Sequence, residues 1–319
     1  FTGMVFANLF YWCTNQYVIQ RTLSAKNLAE GQKGVLISGF FKVLVPFMMM
    51  IPGLIAFHLY GPGLSSIDQA YPKLISDVLP NYLAGFFLAV LLGAVFSSFN
   101  SLLNSAATLF CFDIYLPSRK GDIDDDTLLR IAKRASIVIA LFSFLIAPLL
   151  QYAPDGLWQI IRIFTGFYNI PVIVLVIVGL FTKRVPALAA KVVIISHIIL
   201  YGLFQFVFND IFQIHFLHLY AILFIIESMI MLLIGYFKPL PKPWEYTNNA
   251  VVDLAPWRFL IPVSIHLFSA IIFLYLIFSP IGLVGGLSNM FWVLVALLLL
   301  VNISIWFVKI PKILTGQST

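Results

Sequence analysis

Apolar runs of about 20 residues or more recur along this 319-residue chain, with only short polar breaks between them. Each run is long enough to cross a hydrocarbon core about 30 Å thick as an α-helix. A soluble chain would carry roughly 25% charged residues; here charged residues are 10% and hydrophobic residues 61%. The expected fold class is therefore all-α integral membrane. Nine spans are expected at about 2–19, 35–59, 80–113, 131–151, 156–181, 186–207, 214–237, 257–278 and 289–308. Length and flanking charge carry this assignment, because a helix that is apolar all round has no informative period.

The net charge of +6 does not indicate a nucleic-acid partner, because the basic residues sit at the ends of apolar runs rather than in a polar patch. With nine spans the loops alternate cleanly. Arg21, Lys26 and Lys33 fall on one side, followed by Arg119, Lys120, Arg130, Lys133 and Arg134, then Lys183 and Arg184. Lys238, Lys242 and Arg258, and finally Lys309 and Lys312, fall on the same side. The other side carries only Lys73. Positive charge marks the cytoplasmic face, so the chain is expected to start outside the cell membrane and end in the cytoplasm. The sequence opens at Phe1 with neither an initiator Met nor a signal-peptide pattern, and the expectation is a fragment whose N-terminal portion is missing. Two isolated cysteines, Cys13 and Cys111, offer neither a disulfide framework nor a metal site. The acidic run Asp122, Asp124, Asp125 and Asp126 lacks the ligand spacing and Gly of a calcium loop and reads as a solvated loop. The third span is too long to run straight and is expected to end near Asp113. Pro46, Pro52, Pro171 and Pro262 fall inside spans, where neighbouring helices can satisfy the freed backbone groups.

Polar residues inside apolar runs are the candidate functional groups, because each costs about 2.5–3.5 kcal/mol when charged at mid-membrane. Lys42, Arg162 and Glu227 are such charges; Lys42 and Arg162 lie near span ends and are open to snorkelling, and Glu227 lies mid-span with a His as a natural partner. The first span is the most polar. Asn8, Tyr11, Trp12 and Asn15 stand at i, i+3, i+4 and i+7, one helical face. Aromatic rings with amides suit a sugar, whose C–H faces stack and whose hydroxyls exchange hydrogen bonds; the same residues also suit helix–helix contacts. In the third span, Ala94, Ser97 and Ser98 offer a carbonyl and two hydroxyls to a hard monovalent cation, and small residues also let helices approach closely. No nucleophile–base pair or metal-ligand spacing marks an enzyme. His58, His197, His218 and His266 lie on separate helices.

The segment from Asn8 to Asn27, with its N-x-x-Y-W-x-x-N-Q and Q-R-x-L-x-A-K series, closes on Gln32-Lys33-Gly34. With Asp68, Tyr71-Pro72, Ser97-Ser98, Asn104-Ser105 and Asp113-Ile114-Tyr115 it resembles the sodium/solute symporter family. Within that family it is most similar to the bacterial sodium/galactose members, of the sodium/glucose cotransporter type. The resemblance covers about residues 1–185, with only matching hydropathy beyond. It implies a leucine-transporter-type fold. Residues 1–185 would be the second five-helix inverted repeat, and residues 186–319 peripheral transmembrane helices. The first repeat, in the missing N-terminal half of the same protein, would hold the other half of each site. The implied function is sodium-coupled symport of a hexose such as galactose or glucose, with Na⁺ as co-transported ion and no cofactor. Asn8 and Lys42 resemble sugar-hydroxyl ligands, Tyr11 an aromatic gate with Trp12 beside it, and Ala94, Ser97 and Ser98 half of the sodium site. Where sugar members carry a Gln three residues before Thr165-Gly166, this chain has Arg162; Gln159, one turn earlier on the same face, is expected to take over that role. The Arg favours an acidic sugar as an alternative. Inositol or another polyol and a transporter-fold solute sensor complete the alternatives.

Overall fold

A computed structural model describes residues 3–64, 66–119, 123–152, 157–245 and 252–307; Lys120, Asp122, Lys309 and Lys312 lie outside them. The described elements are helical. In order they are α1 (Gly3–Cys13), α2 (Gln16–Leu23), α3 (Leu28–Tyr60), α4 (Ala70–Val78), α5 (Asn81–Leu109) and α6 (Asp125–Ile146), then α7 (Leu157–Phe181), α8 (Ala187–Gly202), α9 (Phe216–Phe237), α10 (Leu260–Ile277) and α11 (Asn289–Ser304). Seven described helices are long and apolar enough to cross a membrane: α3, α5 with its extension to Ser118, α6 to α9, and α10. α1 and α11 are apolar but shorter. Each of the nine expected spans thus has an apolar helix in place.

The chain divides into two compact units. The first comprises Phe1–Gln20, Ser66–Gln69 and Ile75–Thr247. Its core is a bundle of α1, α7, α8 and α9, in which α1, α8 and α9 each pack on α7. α1 buries Gly3, Ala7 and Phe10, a stripe at i, i+4 and i+7. α8 buries Ala189, Val193, His197 and Tyr201, and α9 Leu219, Leu223, Glu227 and Met231. The spacing of four on both helices makes the ridges that interlock in close helix pairs. Gly3 permits the approach of α1 to α9, since a Cβ there would stand 1.9 Å from the Leu217 carbonyl oxygen. Phe6 then stacks on Phe224 with ring centres 3.8 Å apart. α5 pairs with α6, and the Gln20 amide reaches α5 through the Ser101 carbonyl and the Asn104 side chain, both at 3.4 Å. Asp68 accepts a hydrogen bond from the Leu157 amide at 3.1 Å and so caps the start of α7.

The second unit comprises Arg21–Ser65, Ala70–Leu74 and Asn248–Thr319. There α10 packs on α3 and α11. Asn27 caps α3 by accepting from the Glu30 amide, and Gln32 accepts from the Trp257 amide at 2.8 Å. Lys33 pairs with Glu30 and lies over the Trp257 ring. The Gln32-Lys33-Gly34 motif therefore ties the start of α3 to the segment leading into α10. His266 donates to the Asn302 amide oxygen and accepts from the Trp306 indole, linking α10 to α11 and the residues just after it.

Four sequence expectations change. The first span is not one helix: it stops at Cys13 and resumes at Gln16, with Thr14 and Asn15 both donating their amides to the Phe10 carbonyl. Asn15 is therefore off the Asn8 face; its carbonyl instead accepts the Val18 and Ile19 amides and opens α2. The third span continues past Asp113 through a π-helical turn, Phe110–Tyr115, to Ser118. Asp124, Asp125 and Asp126 are a helix start rather than a loop: Asp124 caps α6 by accepting from the Thr127 amide, and the other two lie in the first turn. Carboxylates are favoured there by the unpaired amides and the positive end of the helix dipole. Pro262 sits in the first turn of α10, where a missing amide costs nothing, so it breaks no helix.

Candidate functional site

The candidate solute- and ion-binding residues lie on four helices. On α1, Asn8 and Trp12 are exposed and Tyr11 half-buried, on the flank opposite Phe6. The Tyr11 and Trp12 rings meet edge to face with centres 5.4 Å apart, and the Tyr11 hydroxyl bonds to that of Tyr17 on α2. Tyr11 is thus held by a neighbour across the break that follows Cys13. Thr14 fastens the end of α1 by donating its hydroxyl to the Phe10 carbonyl at 2.9 Å.

On α5, Ala94, Ser97 and Ser98 lie together on one exposed face. The Ser101 hydroxyl, one turn on, donates to the Ser97 carbonyl at 2.9 Å. These hydroxyls and carbonyls are oxygen donors of the kind that suits a hard monovalent ion. The large apolar residues beside them, Val95 and Phe96, are exposed as well. Such a surface on an apolar helix meets lipid or further protein.

On α7, Gln159 and Arg162 are half-buried and share a face with Gly166, at i, i+3 and i+7. The Arg162 guanidinium lies over the Trp158 ring, 4.7 Å from its centre. α1 reaches the same helix, with Phe10 edge-on to Tyr168 at 5.6 Å. Lys42, exposed on α3, belongs to the second unit.

One polar cluster was not anticipated as a whole. His197 and Glu227 are wholly buried, with Nδ1 and Oε1 2.6 Å apart. The other ring nitrogen, Nε2, donates to the Gly166 carbonyl at 3.0 Å. Tyr201 donates its hydroxyl to the Ile163 carbonyl at 2.9 Å, and Tyr220 donates to the Arg162 carbonyl. The pairing of Glu227 with a His was legible from its mid-span position, but which His was not. The signal available was the spacing of His197 and Tyr201, one turn apart on α8.

Long apolar helices with a polar face on α1, a hydroxyl face on α5 and a buried acid–imidazole pair define a multi-pass α-helical membrane protein. The sodium:solute symporter family matches residues 2–195, and the chain belongs to that family. Among its relatives, the uncharacterized symporter YidK of Escherichia coli (strain K12) is 42% identical over 91% of this chain and 48% of its own length. The sodium/glucose cotransporter of Vibrio parahaemolyticus is 34% identical over 61% of this chain and 39% of its own. Human sodium/myo-inositol cotransporter 2 is 32% identical over 66% of this chain and 33% of its own. The chain thus spans about half or less of the relatives it matches. Likeness to YidK reaches well past residue 185, where the sequence alone shows only shared hydropathy.

Proposed function

We propose that the full-length protein is a sodium-coupled symporter that carries a hexose such as galactose or glucose into the cell. Family membership supports the class, and similarity to sodium/glucose and sodium/myo-inositol cotransporters supports Na⁺ and a sugar or polyol as the transported pair. The observation that carries the reading is the grouping of polar atoms on otherwise apolar helices: exposed Asn8 and Trp12 with half-buried Tyr11 on α1, and Ala94, Ser97 and Ser98 one turn apart on exposed α5. Amides and aromatic rings of this kind suit sugar hydroxyls and C–H faces, and hydroxyl and carbonyl oxygens suit a sodium ion. In this reading residues 1–185 are the second inverted repeat, residues 186–319 are peripheral, and the N-terminal half completes both sites. Asn8, Lys42, Gln159 and Arg162 bind sugar hydroxyls, Tyr11 gates the cytoplasmic exit, and sodium binds Ala94, Ser97 and Ser98. The chain enters the membrane from outside and ends in the cytoplasm.

One cation entering across about 100 mV gains about 2.3 kcal/mol, and a tenfold gradient adds about 1.4 kcal/mol. Together they permit roughly 500-fold accumulation. Sodium favours the outward-facing state that binds sugar, and its loss to the cytoplasm releases the solute, a shift that rests on differential affinity.

A second reading, transport of an acidic sugar, draws on Arg162, whose rigid fork of donors matches a carboxylate. The experiment is uptake of labelled galactose by the full-length protein in liposomes, with and without an inward sodium gradient. Sodium-driven accumulation is the expected result. Absence of galactose uptake together with sodium-driven uptake of a uronate would establish the second reading, and uptake of neither would overturn both.

A further inference from the structure

We propose that His197, oriented by Glu227, and the hydroxyls of Tyr201 and Tyr220 are positioning residues that hold the turn of α7 from Arg162 to Gly166. They thereby aim Gln159 and Arg162, and set substrate affinity without touching substrate. Their effect on substrate affinity rests on the proposed role of Gln159 and Arg162; the anchor itself does not.

Three carbonyls within five residues, those of Arg162, Ile163 and Gly166, each accept a donor from α8 or α9. A membrane helix ordinarily satisfies its own backbone, so three imported donors on one turn fix its rotation and height rather than rescue orphaned groups. The need is local. Pro171 lies inside α7 and has no amide, so the Phe167 carbonyl loses its helical partner and the helix is weakest just past the anchored turn. The Thr165 hydroxyl adds a fourth donor, to the Arg162 carbonyl at 3.0 Å. Gly166 makes room for the donors: a Cβ there would stand 2.5 Å from the Tyr201 hydroxyl.

The chemistry of the pair follows from its partners. A carbonyl only accepts, so Nε2 of His197 must carry its proton. Nδ1 and Glu227 Oε1 then share one further proton, and the pair has no net charge wherever that proton rests. Glu227 Oε2 is buried without a hydrogen-bond partner, so only one carboxylate oxygen takes part. What Glu227 supplies is the tautomer and the ring orientation. A glutamine at 227 can donate its amide to Nδ1 and keep the same tautomer; a leucine cannot.

The test uses the full-length protein with His197→Phe, Glu227→Leu, Glu227→Gln and Tyr220→Phe. Two readouts are needed: amide hydrogen exchange of the 157–170 segment in detergent, and sodium-driven uptake kinetics in liposomes. His197→Phe and Glu227→Leu should speed exchange in that segment by about tenfold while other helices keep wild-type rates. The same variants should raise the sugar KM about fivefold or more, with the maximal rate and sodium half-saturation within about twofold of wild type. Glu227→Gln should behave as wild type in both readouts. Tyr220→Phe removes one hydroxyl and keeps the packing, so it should show a smaller change of the same kind even where the larger substitutions prevent folding. Unchanged exchange in Tyr220→Phe and in every folded variant of His197 overturns the anchor. Glu227→Gln matching Glu227→Leu overturns the assigned part of Glu227. If the wild-type protein moves no sugar, the transport reading fails while the exchange data still decide the anchor.

Discussion

Gly166 shows how one missing methyl group organises a site. A Cβ at this position would stand 2.5 Å from the Tyr201 hydroxyl and 2.6 Å from Tyr220 Cε1. Ring tips can ordinarily swing aside, but both hydroxyls are tied to carbonyls of the same helix. Gly166→Ala is therefore expected to destabilise the protein by about 1–3 kcal/mol, the usual cost of overpacking, read as a lower unfolding temperature of the purified full-length protein. At this scale the sequence was partly informative. Charged or amide groups in apolar runs stood out singly, so Asn8, Arg162 and Glu227 were visible. Tyr201 and Tyr220 were not, because a Tyr in a membrane helix is unremarkable until its hydroxyl has a partner, and the partners here are backbone carbonyls that no sequence displays.

Among elements, α6 begins with its own acid cap. The Asp124 carboxylate accepts from the hydroxyl and amide of Thr127, which hold its pKa below the usual value. A depressed carboxylate stabilises where it is ionised, so the contribution is full above the unfolded value of about 3.9 and fades as pH falls through the lower folded value. Exchange of the Thr127 amide should therefore accelerate, beyond its intrinsic pH dependence, as pH drops from about 5 to 3. Asp124→Asn, which caps without titrating, should abolish that acceleration. α1 supplies a second prediction. The Cβ of Gly3→Ala would meet the Leu217 carbonyl oxygen at 1.9 Å, and backbone cannot swing away. That substitution should push α1 off α9, cost about 1–3 kcal/mol and loosen the Phe6–Phe224 stack. Helix existence was readable from hydropathy, whereas helix ends were not. Polar residues recur along this span, so Thr14 and Asn15 do not mark an end, and the break there is decided by backbone bonds to the Phe10 carbonyl. The start of α6 was missed for the opposite reason: the four acids looked like loop, although three of them sit where a helix favours negative charge.

Over the whole molecule, the buried residues concentrate in α1, α7, α8 and α9, while large apolar side chains on α5 and α6, such as Phe96, Phe142 and Leu145, are exposed. Exposure of that kind is tenable against lipid or further protein, not against water. The loop charges predict which side each end faces. In a full-length protein with Cys13→Ser and Cys111→Ala, a cysteine from Gly63→Cys should react with an impermeant thiol reagent added outside intact cells. One from Asp125→Cys should react only after the cells are opened; the reverse pattern would invert the topology. Fold class was legible because hydrocarbon thickness dictates helix length directly. The division into two units was not, because contacts such as Gln32 with Trp257 join residues far apart in the chain.

The π-helical turn at Phe110–Tyr115 changes how this chain should be compared with its kin. A helix that bonds five residues back instead of four has absorbed one extra residue without lengthening its ladder. Everything beyond it is rotated by about 100° relative to an uninterrupted helix. A relative with one residue fewer here will align with a single gap in the middle of an apolar helix, where gaps are normally penalised as errors. That gap would record a change of angular phase. Residues from Leu116 onward in this helix should then be matched by the direction they face before they are matched by their number.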